Sequence, residues 1–179
     1  MLIPFPQSIE TERLRLRPPL LQDARTIFDA YTQDPVVCRF LVWIPHKLIE
    51  DTEQFIRSCM NSWDMLTAFP YVITRNTNGD VIGMLEARPT GHRLNLGYVL
   101  ARPYWGQGIM PEAIRAVTDL ALSRLSFLRV EATCDMENER SIRTLEKSGF
   151  KREGLLSRYT VHPNISAAPR DCWMYAVYR

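Results

Sequence analysis

The feature that most constrains this chain is a turn with two closely spaced glycines between a strand-like run and a helix-like run. Asn95-Leu-Gly-Tyr-Val-Leu100 reads as a strand, and Pro111 to Leu125 as a helix. Between them Gly106 and Gly108 lie within residues 102–113, Arg-Pro-Tyr-Trp-Gly-Gln-Gly-Ile-Met-Pro-Glu-Ala. The first turn of a helix carries amides with no carbonyl partner, and the helix dipole adds positive potential there. Glycine lets the backbone take positive φ and come close to a ligand. The stretch reads either as an anion site, most often for phosphate, or as a tight connection whose glycines serve only the turn. Two common phosphate motifs do not fit. The mononucleotide loop ends in Gly-Lys-Ser/Thr, whereas Gly108 is followed by Ile-Met-Pro. The dinucleotide fingerprint needs a third glycine where Pro111 stands.

The remaining punctuation is that of one mixed domain over residues 1–179. Residues 1–11 read as a Pro-punctuated arm. Glu12 to Pro18 alternates, with Leu14 and Leu16 on one face and Arg13, Arg15 and Arg17 on the other. That arginine row reads as a solvated or sheet-edge face, with a binding surface as the alternative. Asp23 to Thr32 reads as a helix ended by Pro35, and His46 to Leu66 holds a second helix. Phe69 to Arg75, Asp80 to Arg88 and Arg93 to Leu100 read as an antiparallel meander with turns at Asn76-Thr-Asn-Gly79 and Pro89-Thr-Gly91. Helix Pro111 to Ser126 presents Met110, Ala113, Ile114, Val117, Leu120, Ala121 and Leu125 as one stripe. Strand Leu128 to Asp135 follows, then helix Asn138 to Ser148 closed by Gly149, then strands Phe150 to Tyr159 and Cys172 to Tyr178. The order is α+β, with about seven strands.

Composition narrows the function. The net charge of +2 gives no argument for nucleic acid or a membrane. Cys38, Cys59, Cys134 and Cys172 show no Cys-x-x-Cys spacing and read as reduced core residues of a cytoplasmic protein. His46, His92 and His162 are far apart, so no metal site is expected. The opening Met-Leu-Ile-Pro-Phe-Pro has no basic flank, and no run reaches membrane-spanning length.

Tyr-Trp-Gly-Gln-Gly-Ile-Met-Pro-Glu-Ala resembles motif A of the GNAT superfamily of acetyl-CoA-dependent N-acetyltransferases, and within it the ribosomal-protein N-terminal acetyltransferase branch. On the superfamily pattern Gln/Arg-x-x-Gly-x-Gly/Ala, Trp105 takes the first position, Gly108 the central glycine and Met110 the final small residue. Met110 is bulkier than that pattern, so the loop is expected to sit differently over the pyrophosphate. The resemblance covers residues 11–178 and implies the GNAT fold: a mixed, mostly antiparallel sheet with helices on both faces and a splayed parallel pair. That pair would be Arg93 to Leu100 and Leu128 to Asp135. It implies acetyl-CoA as co-substrate, with the backbone of Tyr98, Val99 and Leu100 along the pantetheine. Gly106, Gln107, Gly108, Ile109 and Met110 would wrap the pyrophosphate. Arg39, Phe40, Trp43 and Ile44 fall in the segment that helps form the acceptor site.

A second stretch is Glu137-Asn-Glu-Arg-Ser-Ile-Arg-Thr-Leu-Glu-Lys-Ser-Gly-Phe150. At 100° per residue Asn138, Ser141, Ile142 and Leu145 share a face, while Glu139, Arg143 and Lys147 point elsewhere. Alone, this reads as an N-cap with a first-turn helper. Beside motif A it is similar to the segment lining the acetyl-CoA arm. By that similarity Asn138 holds the pantetheine amide and Ser141 stands near the thioester sulfur to protonate the departing thiolate. Other branches use a tyrosine in that role, and this helix has none.

The implied reaction is direct acetyl transfer to a primary amine. An α-amine with a pKa of about 8 is roughly 10% neutral at pH 7, so a weak base suffices. Glu86 is the candidate base, with a surface strand glutamate as its plain alternative. Cys134 has no histidine near it in sequence to activate it as a nucleophile and reads as core. The first acceptor to expect is a protein N-terminus, with a small-molecule amine as the alternative, and the chain as monomer or homodimer. Two further readings are a non-catalytic acyl-CoA-binding module and a protein with no nucleotide ligand.

Overall fold

A computed structural model describes residues 5–123 and 127–179. The arm over residues 1–4 and the helix end at Leu125 and Ser126 lie outside the described residues. The frame is one eight-stranded sheet in the order β1-β2-β3-β4-β5-β6-β8-β7. Its strands are β1 (Ile9–Glu10), β2 (Leu14–Arg17), β3 (Phe69–Arg75), β4 (Val81–Thr90), β5 (Arg93–Leu100), β6 (Arg129–Asp135), β7 (Lys151–Thr160) and β8 (Arg170–Tyr178). The expected seven strands are all present. The eighth is β1, a two-residue strand inside the expected arm, where Ile9 pairs with Leu16 and Glu10 with Arg15. A strand this short leaves no alternation to read.

All neighbouring strands are antiparallel except β5 and β6. That exception makes the site. β5 stays paired with β4 from Thr90↔Arg93 to Gly83↔Leu100, and β6 with β8 from Arg129↔Tyr178 to Asp135↔Cys172. β5 and β6 pair only from Arg93↔Arg129 to Asn95↔Glu131. Beyond that point they part, and the main-chain groups facing the gap have no strand partner.

The central strands are covered on both faces. Tyr71, Ile73, Leu85 and Leu96 pack with α4 (Ile109–Ser123) and with Leu145 of α5 (Glu139–Lys147). Val72, Val81 and Met84 pack with α1 (Ala24–Ile27) and α3 (Ile49–Asp64) on the other face. The expected helix over residues 23–32 is irregular: a 3-10 turn at Leu21–Asp23, then α1, then a π turn at Phe28–Thr32. Pro35 does not simply end it. It opens α2 (Pro35–Cys38), with Asp34 as cap accepting from the Val36 amide at 2.9 Å; proline suits a first helical position because its missing N–H has no intrahelical use there.

Helix α4 starts at Ile109, two residues before Pro111, so Pro111 occupies its third position and breaks no helical bond. Helix α5 is capped at both ends. Asn138 Oδ1 accepts from the Ser141 amide at 3.2 Å. At the other end Gly149, at φ +88°, allows Phe150 N–H to reach Leu145 O and Gly149 N–H to reach Glu146 O. Among the described residues no helix is long and apolar enough to cross a membrane.

Candidate active site

A cavity of about 1200 Å³ opens where β5 and β6 part, and it takes in residues from both faces of the sheet. Its first half lies against α4 and α5. Gly106 and Gly108 sit at φ +75° and +72°, the left-handed region that glycine adopts without strain. Among the described residues, the amides of Gly106 to Met110 donate to no main-chain carbonyl. These are unpartnered donors at and just before a helix start, and Gly106, Gly108, Ile109 and Met110 line the cavity. A Cβ on Gly106 would meet only open space, and one on Gly108 would lie 3.7 Å from Arg13. The glycines are therefore needed for backbone conformation rather than for clearance from protein. Met110 is 4% exposed and packs in the core where it borders the cavity.

The loop is braced from outside. Arg13 Nη1 donates to Gln107 O at 3.0 Å, and Arg13 Nε to Glu112 Oε2 at 2.6 Å. Thr11 Oγ1 donates to Glu112 Oε1 at 2.6 Å. Burial opposes the charge on Glu112, but these hydrogen bonds hold its carboxyl below the usual range. Arg13 thus neutralises an acid that would otherwise stand at an anion site. The arginine row of β2 divides accordingly: Arg13 braces the loop, Arg17 pairs with the buried Asp23 at 2.7 Å, and Arg15 stays exposed. Trp105 Nε1 donates to Leu100 O at 2.7 Å, and its ring carries the Arg140 guanidinium at 4.7 Å.

At the split itself the Tyr98 hydroxyl lies 2.7 Å from Ser141 Oγ. Helix α5 carries no tyrosine, as its sequence shows, but strand β5 brings a phenol against Ser141. Sequence reasoning gave Tyr98 only a backbone role and missed this pair, because its members are 43 residues apart. Burial raises the Tyr98 phenol, with the Ser141 hydrogen bond partly opposing it. Burial likewise pushes the neighbouring Cys134 thiol up to about 12. All three groups therefore hold their protons at neutral pH, and Cys134 is no thiolate nucleophile. Asn138 lines the cavity; its side-chain oxygen accepts the α5 cap bond, and its amide nitrogen donates to no described acceptor and so is available to a ligand. Arg143 and Lys147, read as pointing elsewhere, line the cavity with Arg140 and Thr144. A helical edge extends further round than its apolar stripe when the side chains are long.

The second half of the cavity faces α2 and α3. Glu86 stands opposite Gly97 in the β4–β5 ladder. Its Oε2 accepts from Arg88 Nη1 at 2.9 Å, and Arg88 Nη2 donates to Asn95 Oδ1 at 3.0 Å. A Cβ at Gly97 would come within 2.7 Å of Arg88 Nη2, so the missing side chain makes room for this guanidinium. Arg39, Phe40 and Trp43 line the wall, whereas the exposed Ile44 does not. Phe40 and Trp43 are half-buried, neither core nor free. Asn164 Nδ2 ties their loop down by donating to Cys38 O at 2.7 Å and Trp43 O at 2.8 Å. His162, which sequence reasoning weighed only as a metal ligand, also lines this half at 5% exposure. Among the described residues no group of three acidic, His or Cys side chains could hold a metal.

The family model of the acetyltransferase (GNAT) domain matches residues 13–151. The uncharacterized N-acetyltransferase p20 of Bacillus licheniformis is 30% identical over 158 residues, covering 86% of this chain and 87% of that protein. Among solved structures, the ribosomal-protein-S5-alanine acetyltransferase of Vibrio fischeri superposes with a TM-score of 0.79 at 24% identity, covering 96% of each chain. RimL, the ribosomal L7/L12 α-N-protein acetyltransferase, solved with coenzyme A, gives a TM-score of 0.84 at 20% identity, covering 96% of this chain and 97% of that one. At these identities the two structural likenesses concern the fold. The split parallel pair and the family match agree: the chain belongs to the GNAT acetyltransferases, enzymes that transfer an acetyl group to an amine.

Proposed function

We propose that the acetyl donor is acetyl-CoA and that the acceptor is the N-terminal amine of a protein. The observation that carries the donor reading is the row of unpartnered amides from Gly106 to Met110 beside the Tyr98–Ser141 pair. Those amides, at a helix start, suit a diphosphate. Beyond Asn95 the free edge of β5, through Tyr98, Val99 and Leu100, suits an extended pantetheine, with the Asn138 amide nitrogen as a further donor. The thioester sulfur would then stand near Ser141. As the C–S bond breaks, Ser141 protonates the thiolate and Tyr98 stabilises the serine oxygen by hydrogen bonding. A main-chain N–H near Val99 or Leu100 serves the oxyanion.

Glu86 faces the incoming amine from β4. One oxygen is paired with Arg88 and the other accepts from no described donor. It draws in the ammonium form and is placed to take its proton through water. The α-amine acceptor is supported by the low basicity of such amines and by the fold shared with RimL and the S5-alanine enzyme.

The test is release of CoA thiol from acetyl-CoA across peptides with free N-termini, polyamines, amino sugars and amino acids. Turnover with peptides above all others supports the reading. Preference for a small amine would move the acceptor, and CoA binding with no turnover on any amine would leave a non-catalytic acyl-CoA module.

A further inference from the structure

Where β5 and β6 part, one face of the sheet carries an acid, a guanidinium and an amide in a row. Glu86 and Arg88 of β4 stand opposite Gly97 and Asn95 of β5, and Asn95 is the last β5 residue paired with β6. All four line the cavity. Arg88 Nη1 donates to Glu86 Oε2 at 2.9 Å, and Arg88 Nη2 to Asn95 Oδ1 at 3.0 Å. The guanidinium lies over Gly97, in the space a side chain would take. Alternate residues of a strand share a face. Met84 and Val99, two places along from Glu86 and Gly97, pack with the cluster under α1 and α3, so the row belongs to the acceptor half.

The protein uses this row only in part. A guanidinium carries N–H bonds on each of its nitrogens. Arg88 spends one on Glu86 and one on Asn95, and among the described residues the others meet no acceptor. Glu86 keeps one carboxylate oxygen with no described donor. Both side chains are open, Arg88 at 45% exposure and Glu86 at 32%. The second carboxylate in the cavity wall, Asp135, is closed. Burial opposes its charge, but Arg170 Nε at 2.6 Å holds its carboxyl below the usual range. An open acceptor and open donors thus stand side by side at the end of the split. A lone ammonium would engage only the acceptor. The complementary ligand has an ammonium and, on the next carbon, an oxygen that accepts: an α-amine beside the carbonyl of its own residue. A polyamine or a lysine side chain has no oxygen in that place.

We propose that Arg88 is a specificity-determining residue, donating to the carbonyl oxygen of the acceptor's first residue while Glu86 holds the ammonium. This rests on the reading of the donor and of Glu86 given above, and it adds what is recognised besides the amine. Asn95 pins Nη2 and Gly97 leaves the room, so the guanidinium is held in place before the acceptor arrives. Contacts to two adjacent atoms groups of the acceptor fix the direction of its amine, which a single contact leaves free to turn.

The experiment measures kcat/KM by thiol release for an alanyl peptide and for the same peptide with a trans-alkene in place of its first amide, which deletes the carbonyl without adding charge. Both are run with the parent and with Arg88→Gln, alongside melting temperature and KM for acetyl-CoA. The difference in basicity between the two peptides is common to both enzymes and cancels. Deleting the carbonyl is expected to cost the parent about tenfold more than it costs the variant. Arg88→Gln is also expected to raise KM for the intact peptide about tenfold, with KM for acetyl-CoA within about twofold of the parent. An arginine that served only the sheet would lower both peptides alike. Arg88→Lys keeps the charge but not the fork, and carries the same comparison should the Gln variant unfold. Alaninamide is expected to be preferred to alanine; the reverse would overturn a peptide carbonyl as the group read. Equal penalties in the parent and a folded variant would overturn the proposal. A parent silent with every amine would overturn the acetyl-CoA reading instead, so the two failures are distinguishable.

Discussion

The two halves of the cavity are made of different material. The half against α4 and α5 is largely main chain: amides of Gly106 to Met110 and the unpaired edge of β5. The half against α2 and α3 is side chain: Phe40, Trp43, Glu86, Arg88 and His162, drawn from three separate stretches of sequence. Main-chain donors are the same whatever residue carries them, so the first half is suited to one constant ligand. Side chains can be exchanged without disturbing the sheet, so the second half is where acceptor preference would reside. The contrast extends to the bracing. Arg13 supports the first half from a partly exposed position, whereas Asp135, beneath the second, is sealed at 1% exposure.

The sharpest break of this comparison is Gly108→Trp. A tryptophan at φ +72° is strained, and its indole would occupy the space beside the loop that the diphosphate needs. The expected result is a loss of CoA affinity of more than about tenfold, read by calorimetry, with the fold retained by circular dichroism. Normal affinity would remove this loop from the donor site. Glu86→Gln acts on the other half. It is expected to lower kcat about tenfold while leaving KM for acetyl-CoA unchanged; an unchanged kcat would take Glu86 out of the reaction.

The braces give a smaller, pH-dependent contrast. Asp135 and Glu112 both have lowered folded values. The stability they contribute is therefore complete above the unfolded carboxylate value of about 4 and is lost as pH falls through the folded values. At pH 7, Arg170→Met strands a buried anion and is expected to cost about 3 kcal/mol. Arg13→Met, at a partly exposed pair, is expected to cost under about 1 kcal/mol. Both penalties should shrink in denaturant titrations below about pH 4. Equal penalties at neutral pH would mean that the two braces do not differ as their burial implies.

How much of this was legible in the sequence follows from the range of the interactions. The glycine turn, the Asn138 cap and the Gly149 close are local, set by residues within one or two helical turns, and each was readable. The position of α4's first turn was also legible, though its start was misplaced by the two residues before Pro111. Contacts that join distant segments were not. Arg13 meets Glu112 across 99 residues, and Tyr98 meets Ser141 across 43. No periodicity encodes such pairs; they arise when the sheet closes. His162 was passed over because it meets the cavity only once the sheet has closed, and because a lone histidine in a loop carries no spacing signal. The π turn at Phe28–Thr32 was hidden for a related reason: its apolar stripe is that of an ordinary helix.

The central claim is that main-chain amides hold the diphosphate of coenzyme A. It is tested most directly by following amide resonances during titration with CoA and, separately, with pantetheine, which lacks the diphosphate. The account expects large shifts at Gly106 to Met110, leaving out none that carries an N–H, with CoA alone. Saturation by CoA with those resonances unmoved would contradict it.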